Sequence, residues 1–203
     1  MTITAGMVKE LREATGAAVL DCKNALDATE GDMEKAKAIL EEKGLATAKK
    51  KADREAHEGK VETYTHPGGR VGVMLEVNCE TDFVANTDLF QTFVHDLALH
   101  IAFAAPGYLA REDVPREVAE AQSADYRREA EASGKPENVI ARIVEGKMNK
   151  FYEEACLLEQ PFIRDEDIKI GDLVIRMVAE LKENIVIRRF ARFELGESSS
   201  ENT

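Results

Sequence analysis

The chain has no tryptophan, and its large rings are four Tyr and eight Phe in 203 residues, so the position of each ring carries information. Cysteine is as scarce: Cys22, Cys79 and Cys156 are odd in number and far apart. That excludes a disulfide framework and fits a reducing cytoplasm. Basic residues are in deficit, 27 Lys and Arg against 39 Asp and Glu. The resulting charge of -12 argues against nucleic acid as the main partner, because phosphate binding needs a net basic face. No apolar run reaches the roughly eighteen residues of a membrane span. The start, Met1-Thr2-Ile3-Thr4-Ala5-Gly6, has neither the charged nor the apolar region of a signal peptide. These absences predict a globular protein, expected in the cytoplasm.

Chemistry is lacking too. No Gly-rich phosphate loop of the Walker or dinucleotide type occurs. His95 and His100 are five apart on one predicted helix and so face different ways, whereas a two-histidine zinc site wants a spacing of four. The cysteines have neither paired spacing nor a nearby cationic cluster to activate a thiolate. An enzyme of this size needs a nucleophile with a base, a metal cluster or a phosphate cradle. The sequence therefore predicts a binding or regulatory protein rather than an enzyme, with no cofactor and no metal.

What is present is a helical start, a hairpin and a helical remainder. Met7, Val8, Leu11 and Ala14 line a first helix that stops at Thr15-Gly16. Val19, Leu20, Cys22, Ala25 and Leu26 serve a second, and Asp32 caps a third that is expected to end at Gly44. Residues 46–59 read as a polar helical connector, where Asp53, Glu55 and Glu58 dilute the Lys49–Lys51 run. Val61–Thr65 and Arg70–Val77 then pair around the turn His66-Pro67-Gly68-Gly69. After a long helix to Ala104, Pro115 and Pro136 each open a helix, expected to lie on the sheet or against another subunit. Leu157–Ile163 reads as an extended segment at a sheet edge. Asp172–Leu181 reads as a short helix, and Ile185–Leu195 as a last strand whose apolar phase changes near Arg188-Arg189. The division is 1–45 bundle, 46–59 connector, 60–196 α+β core, 197–203 disordered tail.

The chain is arranged around one stretch, Asn78-Cys79-Glu80-Thr81-Asp82-Phe83-Val84-Ala85-Asn86. Before it, Val71, Val73, Leu75 and Val77 alternate as in a half-buried strand; after it, Phe90, Phe93, Val94, Leu97 and Ile101 repeat at helical spacing. Thr81 is suited to capping the turn between them. A ring at such a corner either fills its own core or is presented to another molecule.

These residues resemble the bacterial elongation factor Ts family. The likeness runs through Val8–Ala17, Leu20–Leu26, Ala48–Ala52, Leu75–Ala85, Glu159–Phe162 and Arg188–Glu194; the Thr81–Ala85 motif with its Asn78-Cys79 lead is the specific part. The resemblance implies a ubiquitin-associated-like bundle that docks on the translational GTPase elongation factor Tu, and an antiparallel sheet covered on one side by helices. It implies a guanine nucleotide exchange factor in which Thr81, Asp82, Phe83 and Val84 dislocate the partner's magnesium site. Lys9, Arg12, Val19 and Leu20 match docking positions, Lys51 could meet an acidic partner surface, and His66 matches a hairpin position that can meet the partner. Ala18, Val19 and Leu20 replace the family's usual glycine and methionine pair. With one sheet's worth of strands and no coiled-coil heptads between Phe103 and Asp125, the chain resembles the short members, which implies a homodimer around the last strand and Pro161. The competing reading is a helical adaptor whose bundle binds peptide or ubiquitin-like partners.

Overall fold

Local signals place the first elements in the computed structural model, which describes residues 2–197. Helix α1, Ala5–Thr15, is capped by Thr4, whose hydroxyl accepts the Met7 N–H; it ends at Gly16 in the left-handed region (φ 68°). Helix α2 spans Val19–Ala28, and Asp32 caps α3 by accepting the Lys35 N–H. Leu11, Cys22, Ala25, Leu26, Ala36 and Leu40 form one small closed core among the three. Each buried leucine there is worth about 2 kcal/mol.

Gly44 does not end α3. The helix runs from Met33 to Lys51, and residues 46–59, expected as a helical connector, are divided among its last turns, the loop 52–57 and the start of the first strand. A glycine inside a helix costs only about 1 kcal/mol. Here the face it sits on is covered: a Cβ at Gly44 would lie 3.6 Å from the Ile175 side chain. Lys49, Lys50 and Lys51 occupy the last turn, where their charge complements the exposed carbonyls.

Strands β1, Glu58–Thr65, and β2, Val71–Cys79, flank the expected turn, closed by His66 N–H to the Val71 carbonyl. At Gly59 (φ 137°) a Cβ would stand 2.1 Å from the Val77 carbonyl oxygen, so only glycine lets the strands approach there. The corner is the one-turn helix α4, Asp82–Ala85, followed by α5, Asp88–Ala104. Helices α6, Arg116–Glu131, and α7, Glu137–Ala155, come next. Strands β3, Pro161–Phe162, and β4, Asp165–Lys169, lead into α8, Ile170–Leu181, and β5, Val186–Glu194. The main sheet has the order β1-β2-β5, and the fold class is α+β as expected. Arg70 meets Leu195 and Asn78 meets Arg188, which makes β5 antiparallel to β2.

The residues cluster into two compact units. One combines residues 1–62, 75–95 and 172–188, so it holds the bundle, α4 and α8. The other combines 63–74, 96–171 and 189–203. In this second unit α6 and α7 pack on each other as a helical hairpin. An ion pair between Lys147 of α7 and Glu129 of α6 links the two helices, and Ala130 and Ile140 are their buried side chains. Leu157–Glu159 is a 3₁₀ turn rather than extended chain, and β3 pairs with β4 in a separate two-stranded sheet. The expected disordered tail, apart from Glu197, lies outside the described residues.

Candidate docking corner and groove

At the corner, α4 projects one ring outward and one side chain inward. Phe83 is 79% exposed, whereas Val84 is 6% exposed and anchors the turn in the core with Ala85. Of the four residues expected to act together, Thr81, Asp82 and Phe83 face solvent and Val84 does not. Thr81 Oγ1 accepts the Val84 N–H, as its capping role predicted. The Asn86 side chain donates to the Asp82 carbonyl and holds the far end of the turn.

Sequence reasoning missed what secures this corner. Glu183, in the loop between α8 and β5, accepts the backbone N–H of both Glu80 and Thr81 at 3.0 Å and the Thr81 hydroxyl at 2.6 Å. Glu80 answers by accepting the Asn184 N–H at 2.6 Å and pairing with Arg54. The Asn184 amide and then Arg54 hold the Glu80 carboxyl below its ordinary range. Asn184 also donates its side-chain amide to the carbonyls of Ala52 and Arg54. Lys51 donates to the Lys182 carbonyl. No periodicity marks these contacts, because Glu183 and Asn184 lie more than a hundred positions from the residues they hold.

The bundle carries a second surface. Lys9, Arg12 and Val19 line a groove of about 470 Å³ with Ile3, Val8 and Lys23. Val19 is 55% and Leu20 66% exposed, an apolar ridge that nothing in the bundle covers. Arg12 also opposes the burial that raises the Glu180 carboxyl above its ordinary range.

His66 belongs to the other unit, where its ring meets the Tyr64 hydroxyl at 3.1 Å. It borders a pocket of about 330 Å³ lined by Leu99, Phe103 and Ile163, and Phe103 is 77% exposed. Nearby, buried His100 is satisfied: its Nε2 meets Gln160 and its Nδ1 accepts the Ile163 N–H. Burial lowers its affinity for a proton.

Among the described residues, no three His, Cys, Asp or Glu side chains are grouped to hold a metal ion. All three cysteines are buried and free, and burial pushes the Cys79 and Cys156 thiols up to about 11. No helix among the described residues is long and apolar enough to cross a membrane. The α+β protein thus presents two exposed apolar features, a ring on a braced turn and a groove with cationic edges.

The family described as Elongation factor TS matches residues 7–197. The chain is 60% identical over 195 residues to Elongation factor Ts of Caldanaerobacter subterraneus, covering 96% of this chain and 98% of that one. It is 58% identical to Elongation factor Ts of Carboxydothermus hydrogenoformans, covering 96% and 90%. For Elongation factor Ts of Geobacter sulfurreducens the identity is 53%, covering 97% and 91%. The chain belongs to the elongation factor Ts family, and with it to the factors of translation elongation.

Proposed function

We propose that this protein is the guanine nucleotide exchange factor of elongation factor Tu and that it makes and breaks no covalent bond. The observation that carries the proposal is Phe83: an aromatic ring 79% exposed on a turn held by charge-assisted hydrogen bonds. Exposing a ring forgoes about 2 kcal/mol of burial, which a docking surface recovers when the ring enters a partner. Inserted between elements of the GTPase, the ring shifts the groups that hold its magnesium shell. Magnesium neutralises the bound diphosphate, so a small displacement removes much of the nucleotide's affinity. Asp82, next to the ring, competes for the water and hydroxyl network there. Linkage makes the effect mutual: the factor binds the nucleotide-free GTPase more tightly by the factor it weakens GDP.

The groove at Lys9, Arg12 and Val19, with Leu20 beside it, supplies affinity at a second site of the partner. The division into a docking bundle and a core follows this reading. His66, on its exposed hairpin turn, is a further partner contact. The protein acts in the cytoplasm, in keeping with its buried free thiols, and needs no metal or cofactor of its own.

The functional form is a homodimer that binds two GTPases. In the second unit Met74, Phe193 and Leu195 are 55%, 70% and 65% exposed, an apolar set suited to meeting a second copy. Sedimentation at micromolar concentration should give twice the chain mass, and a single-chain mass would remove the dimer.

The exchange reading is tested by release of fluorescent GDP from elongation factor Tu, with and without this protein, at several magnesium concentrations. Acceleration that falls as magnesium rises is the expected result. No acceleration at any concentration would leave the adaptor reading in its place.

A further inference from the structure

Building on the exchange reading, we infer that Glu183 is the positioning residue of the corner, setting where Phe83 stands and joining the corner to the bundle as one piece. A ring that is 79% exposed has almost no packing of its own, so its direction is set by the backbone beneath it. That backbone is braced from outside. One Glu183 oxygen accepts two successive amides, those of Glu80 and Thr81, and the other takes the Thr81 hydroxyl proton. The hydroxyl, having donated to Glu183, turns a lone pair to the Val84 N–H. Phe83 lies between the two residues of this relay.

The same loop grips the end of α3. The Lys182 carbonyl receives Lys51, and Asn184 joins Ala52 and Arg54 to Glu80. Lys182 itself adopts a left-handed conformation (φ 62°), which non-glycine residues rarely take unless their surroundings impose it. Residues 182–184 thus staple the last turn of the bundle's third helix to the corner. A flexible connector would let bundle and ring dock as tethered modules. The staple instead fixes their spacing, so that a partner seated on the groove meets the ring at one set position.

The test is a mutant cycle read by stopped-flow release of fluorescent GDP from elongation factor Tu, using the full chain over a range of concentrations. Glu183→Ala should slow release at saturation by about tenfold or more. The half-saturating concentration should change by less than about threefold, because the groove is untouched. In a Phe83→Ala background the same change should cost less than about twofold, since there is no ring left to position. Glu183→Gln, which keeps one accepting oxygen, should recover most of the rate. If E183A does not fold, Thr81→Val, which removes the hydroxyl that donates to Glu183, carries the same cycle.

An E183A protein that releases GDP at the unmodified rate overturns the inference. So does an equal loss in both backgrounds, which would mean that Glu183 serves stability alone. A Phe83→Ala protein with full activity would instead overturn the exchange reading on which this rests.

Discussion

The bundle and the corner belong to the same compact unit, yet they are held together in opposite ways. The bundle's caps are local: Thr4 and Asp32 each satisfy an amide three residues on, and its core draws on residues within the first forty. The corner's supports come from Glu183 and Asn184, more than a hundred positions away, and both are charge-assisted where they meet Glu80 or Thr81. A local cap secures a helix wherever that helix goes. A distant brace secures a direction relative to the rest of the unit. An exposed apolar ridge on a bundle tolerates small errors of placement, whereas a ring that enters a crevice, as the proposed exchange role requires, does not. The contrast predicts that the bundle governs affinity and the corner governs rate.

The largest test of this contrast is Phe83→Ala. It should slow saturating GDP release by about 100-fold and change stability by less than about 0.5 kcal/mol, since the ring buries little of itself. A large drop in melting temperature would place the ring in the protein's own core. Next comes Val19→Asp, which sets a carboxylate into the apolar groove. It should weaken binding to nucleotide-free elongation factor Tu by about tenfold and leave the saturating rate within about twofold. A lost rate with intact affinity would reverse the assignment of the two regions.

A smaller effect is expected from Asp32→Ala, which removes the cap of α3. About 1 kcal/mol of stability should be lost by chemical denaturation, with the exchange rate at saturation unchanged. The smallest is a pH effect at the corner. The Glu80 carboxyl is held below its ordinary value near 4.5 by the Asn184 amide and Arg54, so the folded form binds its proton less readily than the unfolded one. Its contribution is therefore complete above about pH 4.5 and is lost as pH falls through the lowered value. The Asn184 amide resonance should move in that range below 4.5, and a midpoint at or above the ordinary value would show that the Glu80 brace is absent.

Much of this was legible beforehand, and for identifiable reasons. Asp32 announced α3, Pro115 and Pro136 announced α6 and α7, and the alternation of Val71 to Val77 announced β2, because caps, breakers and periods act over a few residues. The corner's position between strand and helix was legible on the same grounds, and the phase change at Arg188-Arg189 reappears in the burial of β5: Ile187 is buried before it, Phe190 and Arg192 are half-buried after it. Gly44 misled, because a glycine that ends an isolated helix and one that lies beneath a covering helix look alike in a sequence. The bond from Lys51 to the Lys182 carbonyl was not legible either: a lysine looks free until the carbonyl that receives it is placed beside it. Strand β4, Asp165–Lys169, is acidic and lacks alternation, and only its pairing with β3 makes it a strand.

By itself the sequence determined the order of the elements, the strand-to-helix corner with its ring, and membership of the elongation factor Ts family, since each rests on neighbouring residues or on a motif read along the chain. Only the tertiary structure decided that Phe83 stands in solvent while Val84 turns inward, and that Glu183 accepts the amides of Glu80 and Thr81. Exposure and long-range hydrogen bonds depend on which distant segments meet, and no local pattern encodes a meeting across a hundred residues.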